Sequence, residues 1–113
     1  MTDAKEYGRA LFLITEEDSV SDKVRTDVKT AESALKANPE YIKIIDSPAL
    51  SKTERVELID RAFGQLDCRL LNFIKILAES RRMYLFEKAA KAYYAFYDSS
   101  RGIERVEVVT AIP

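Results

Sequence analysis

LDCRLLNFIKILAES, residues 66 to 80, decides the fold. Leu70, Phe73 and Leu77 recur at helical spacing as one apolar stripe, Leu71, Ile74 and Ala78 form a second, and Ile76 stands on a further flank. Apolar side chains nearly encircle this helix, and Asp67 is placed to cap its start. Such a helix is either central to a bundle, or buries one side in its own core and offers the other to a partner.

Towards the C-terminus the helical period resumes at Arg82 and carries Phe86, Ala89, Ala90, Tyr93, Phe96 and Tyr97 as core positions, until Asp98-Ser99-Ser100-Arg101-Gly102 reads as a stop. Beyond it, Val106 and Val108 alternate with Arg105, Glu107 and Val109, the period of a strand. One strand cannot make a sheet by itself.

Towards the N-terminus, Ser51-Lys52-Thr53-Glu54 is a capping box opening a helix, with Val56, Ile59, Ala62 and Phe63 inward and Gly64 at its end. A short helix over Glu40 to Asp46 precedes it, started by Pro39 with Asn38 as cap and ended by Pro48. Val20, Val24, Val28, Ala31 and Leu35 mark a one-faced outer helix. Asp3 and Glu6 cap a first helix in which Tyr7, Ala10, Leu11 and Ile14 share a face, ending at the acidic run Glu16-Glu17-Asp18. The expectation is an all-α, six-helix bundle with a short extended C-terminal tail.

Composition agrees. The 113 residues fit one domain, 47% hydrophobic and 33% charged with only three Gly and three Pro, a globular and helix-favouring balance. The net charge of −1 gives no field that would gather nucleic acid or an anionic membrane. The local cations Arg81, Arg82, Lys88 and Lys91 read as a solvated helix face. No run approaches the ~18 apolar residues of a membrane span, and no leader pattern opens the chain, so a soluble chain starting at its mature end is expected.

Catalytic chemistry is sparse. Histidine is absent and Cys68 is the single cysteine, which removes His-based nucleophilic arrangements, intramolecular disulfides and multi-cysteine metal sites. Cys68 reads as a small, half-buried side chain. Three scattered glycines write neither a phosphate loop nor a dinucleotide fingerprint. Glu16, Glu17 and Asp18 read as solvated surface. One enzymatic alternative survives: a small all-helical enzyme of the chorismate mutase type, with Arg9, Arg55, Arg81 and Arg82 as its cations. The leading expectation is a binding module that needs no cofactor and no metal.

Taken in order, Tyr7-Gly8-Arg9-Ala10-Leu11-Phe12, Asn38-Pro39, Ser47-Pro48 and Asn72-Phe73-Ile74-Lys75-Ile76-Leu77-Ala78-Glu79-Ser80-Arg81-Arg82 form a series that resembles the N-terminal domain of the delta subunit of rotary ATP synthases, the oligomycin-sensitivity-conferring protein of mitochondria. Val106-Glu107-Val108-Val109-Thr110-Ala111 is similar to the start of that family's second domain. The resemblance covers residues 6 to 113. It implies a six-helix domain over 1–102 and a linker over 103–113 to a second domain that the chain lacks, making it a fragment.

The resemblance also implies a non-catalytic role in the peripheral stalk, the stator that holds the catalytic head still while the rotor turns. It implies that the N-terminal helix of an alpha subunit lies in a groove between the first and fifth helices, and that the stalk b subunits join through the second domain. Carried onto this chain, Tyr7, Ala10, Leu11, Ile14, Phe73 and Ile76 would line that groove, with Arg9, Lys75 and Glu79 on its rim. The implied location is peripheral, on the cytoplasmic face of a bacterial plasma membrane. Two departures bear on the groove's detail: Arg81 stands where many relatives have Gly or Asn, and Gly8 where Ala is more usual.

Overall fold

The computed structural model describes residues 4–101. They form α1 (Ala4–Glu17), α2 (Ser21–Ala37), α3 (Pro39–Asp46), α4 (Lys52–Phe63), α5 (Cys68–Glu79), a 3-10 turn (Met83–Leu85) and α6 (Phe86–Arg101). Among the described residues there is no strand. The expected cap at Asp3 and the expected extended tail lie outside them.

α5 is the central helix. Leu70, Ile74, Leu77 and Ala78 have no exposed surface, and they meet Val24, Val28 and Ala31 of α2, Ile45 of α3, Ile59 and Phe63 of α4, and Phe86, Ala89, Ala90 and Tyr93 of α6 in one core. Full burial of side chains this size contributes roughly 1.5–3 kcal/mol each, so this core dominates the fold's stability. α1 lies along α6, where Gly8 is buried against Ala89 and Tyr93.

The helix ends show why the chain bends where it does. Ser51 and Glu54 form both hydrogen bonds of the capping box at the start of α4. α1 and α5 each stop with a residue in the left-handed region, Ser19 and Arg81, both at φ 57°. After α5 the Arg82 amide donates to the Leu77 carbonyl at 2.8 Å and the Arg81 amide to the Ala78 carbonyl at 3.2 Å, the paired bonds of a Schellman termination.

Four expectations need correction. The buried stripe of α4 is Arg55, Ile59 and Phe63; Ala62 is exposed and Val56 only partly covered. The helix is rotated because Arg55 is drawn inward by carbonyls: its guanidinium donates to Ala78 at 2.8 Å, Leu50 at 2.6 Å and Glu79 at 3.0 Å, two of them in the last turn of α5. Asn38 holds the cap position of α3 but makes no capping bond; its amide nitrogen donates back to Ala34 of α2. α6 begins at Phe86 rather than Arg82, because the Asp46 carboxylate takes the amides of Met83 and Tyr84 at 2.9 and 3.0 Å and winds that turn tightly. α6 then runs through the expected stop to Arg101, whose guanidinium packs 4.3 Å from the Tyr97 ring and bonds Glu16.

Candidate partner-binding groove

α1 and α5 leave a groove of about 310 Å³ lined by Glu6, Tyr7, Ala10, Leu11, Ile14, Arg69, Asn72, Phe73 and Ile76. The helical period places the first five on one flank of α1 and the last four on one flank of α5. All six residues named from the sequence as walls are brought together here.

They are not equivalent. Leu11 and Phe73 are buried and form the floor, whereas Ile14 and Ile76 are 51% and 54% exposed and stand open beside it. Ala10 is exposed on the wall between them, small enough to admit another backbone closely. Tyr7 is half-buried, edge-on to Phe73 at 6.3 Å between ring centres, and its hydroxyl accepts from Arg82 at 3.1 Å. Phe73 also touches Phe86 of the core, so the floor is continuous with the interior.

The residues named as the rim lie elsewhere. Lys75 pairs with Asp60 of α4 at 2.7 Å and Glu79 with Lys52 of α4 at 3.9 Å, which turns both towards α4, while Arg9 is exposed and outside the lining. Glu6, Arg69 and Asn72 supply the polar edge instead. Gly8 faces α6 rather than the groove.

The acidic run is engaged rather than merely solvated. Asp18 accepts from Arg69 at 2.6 Å, and Glu16 accepts from the Ser21 hydroxyl at 2.6 Å and from Arg101 at 3.1 Å. The Ser21 bond, then the Arg101 bond, hold the Glu16 carboxyl below its ordinary range. Burial pushes Asp67 upward, yet its bonds from the Arg69 amide and guanidinium, with the charges of Arg69 and Lys23, outweigh that and leave it lowered. Thr15, Ser21 and Tyr93, all buried, close a polar knot beneath: Thr15 and Ser21 hydroxyls lie 3.0 Å apart and Tyr93 donates to the Ser21 carbonyl at 2.9 Å. The missed signal was the acidic run itself, since three acids at a helix C-terminus oppose its dipole and call for cations.

The four arginines of the enzymatic alternative are engaged by the fold or face solvent. Arg55 is buried at the end of α5, Arg82 is on Tyr7, and Arg9 and Arg81 are exposed. Cys68 is exposed at the first position of α5 rather than half-buried. Among the described residues no cluster is placed to hold a metal ion, and no helix is long and apolar enough to cross a membrane.

Residues 4–113 match the family model described as ATP synthase delta (OSCP) subunit. The chain is similar to ATP synthase subunit delta of Lactobacillus gasseri, 27% identical over 109 residues that cover 96% of this chain and 60% of that protein. It is likewise similar to ATP synthase subunit delta of Exiguobacterium sp., 27% identical with 97% and 62% covered. Against ATP synthase subunit 5, mitochondrial, of Saccharomyces cerevisiae it is 30% identical over 110 residues, covering 95% of this chain and 52% of that protein. The chain thus spans about half to three fifths of the length of these relatives.

Proposed function

The chain belongs to the ATP synthase delta (OSCP) subunit family, and from that membership we propose that it is a non-catalytic stator domain of the proton-translocating rotary ATP synthase, receiving the N-terminal helix of a catalytic-head alpha subunit between α1 and α5. The observation that carries this reading is the groove itself: a buried floor of Leu11 and Phe73 flanked by Ile14 and Ile76, each about half exposed. An amphipathic helix laid there covers those side chains with a few apolar anchors at helical spacing. Burying the exposed halves of Ile14 and Ile76 contributes roughly 1–3 kcal/mol in total, about 5- to 150-fold in affinity.

The proposal extends to position in the complex. The domain sits peripherally at the membrane, on the cytoplasmic face in a bacterium, and the stalk b subunits are reached through sequence that follows this domain in its longer relatives. It needs no cofactor. A titration with a synthetic peptide of an alpha-subunit N-terminus, followed by NMR, tests the reading: amide shifts should cluster on α1 and α5, and shifts confined to other helices would contradict it. Arg55 and Arg82 are engaged by the fold, which weakens a chorismate mutase reading, and purified protein should give no turnover of chorismate.

A further inference from the structure

Two charges beside the groove are each wrong for their own helix. A helix C-terminus carries partial negative charge and favours cations, yet α1 ends in Glu16-Glu17-Asp18 with no basic residue in its last turn. A helix N-terminus favours anions, yet Arg69 is the second residue of α5. These misplaced charges meet: Arg69 Nε donates to Asp18 Oδ2 at 2.6 Å, across 51 residues of sequence. Local energetics opposes each placement, so the pair answers to a tertiary need.

Arg69 is itself held in position. Its Nη1 lies 3.2 Å from Asp67 Oδ2, and the Asp67 amide donates to Asp27 of α2 at 2.9 Å. At the far end of the groove the Arg82 guanidinium holds the Tyr7 hydroxyl. A polar tie therefore closes each end, with Ile14 and Ile76 between, while the main packing of α1 is along α6.

We propose that the Asp18–Arg69 pair is a clasp that fixes the groove's width before a guest helix arrives, and that both are positioning residues for that guest; this rests on the groove reading above. Walls already held apart at the right spacing lower the ordering cost of binding. Without the clasp, the end of α1 keeps its hold on α6 through Thr15 and Glu16 but loses its polar tie to α5.

The test uses the whole chain, a synthetic alpha-subunit N-terminal peptide, calorimetry, thermal melting and methyl NMR of the free protein. Asp18→Asn should weaken peptide binding about fivefold and move the Ile14 and Ile76 methyl resonances, and Asp18→Glu should restore both. Asp60→Asn, which breaks the 2.7 Å pair with Lys75 on the α4 side of α5, is the control and should leave affinity unchanged. Wild-type affinity in Asp18→Asn, or an equal loss in Asp60→Asn, overturns the clasp. If the peptide binds neither wild type nor variant, the groove reading fails, and unmoved Ile14 and Ile76 methyls in Asp18→Asn then overturn the clasp separately.

Discussion

Gly8 of α1 and Ala89 of α6 approach so closely that a Cβ on Gly8 would stand 2.6 Å from the Ala89 carbonyl oxygen, and 2.7 Å from the Ala92 Cβ. Helix propensity alone makes glycine here a liability of up to roughly 1 kcal/mol relative to alanine. The structure reverses the sign, because an added methyl meets backbone and must push the helices apart. Gly8→Ala should destabilise the domain by about 1–2 kcal/mol net, overpacking outweighing the propensity gain, as read by chemical denaturation.

Arg81 carries the opposite prediction. It occupies the left-handed position of the Schellman termination of α5, where an L side chain costs roughly 1–2 kcal/mol and glycine costs far less. Part of that gain is returned as extra freedom of the unfolded chain. Arg81→Gly should raise stability by about 0.5–1 kcal/mol, and a lower melting temperature would contradict the assignment.

Phe73 and Ile76 separate floor from wall. Phe73 is buried against Tyr7 and Phe86, so Phe73→Ala should cost about 3–5 kcal/mol of folding stability. Ile76 is 54% exposed, so Ile76→Ala should leave stability within about 0.5 kcal/mol while weakening peptide binding by about 1–2 kcal/mol. Melting and calorimetry on the same two proteins check the split.

Acid should loosen the domain through Asp67 and Glu16. Both carboxyls titrate below their ordinary values of 3.8 and 4.5 in the folded chain. The unfolded chain therefore binds more protons in acid, so the stability they contribute is present above those ordinary values and is lost as pH falls through the lowered ones. Melting temperature should decline below about pH 4.5, and Asp67→Asn should make that decline shallower.

How much of this was legible follows from what one-dimensional pattern can carry. The encircled apolar pattern of α5 marked it as either central or shared between core and partner, and the capping box at Ser51 marked its helix, because both signals are complete within a few residues. Tyr7, Ala10, Leu11, Ile14, Phe73 and Ile76 were named by carrying the family resemblance onto apolar positions that share a helix face, and the period alone did not separate the buried Leu11 and Phe73 from the open Ile14 and Ile76. Arg55 was not legible, since its burial depends on carbonyls of Ala78 and Glu79 more than 20 residues away. The same holds for Lys75 and Glu79: their spacing permits a groove rim, but Asp60 and Lys52 on α4 claim them. Asp46 capping the turn before α6 is a third case, invisible until α3 and the 3-10 turn are adjacent.

Ala10 is exposed on the groove wall and outside the core, so a charge placed there reports on the groove alone. Calorimetric titration of wild type and Ala10→Asp with an alpha-subunit N-terminal peptide, alongside their melting curves, isolates the groove from the fold. Wild type should bind one peptide per domain and Ala10→Asp none detectably, at an unchanged melting temperature, because a guest helix would have to bury the new carboxylate without a partner. Equal affinity for the two proteins would contradict the groove reading.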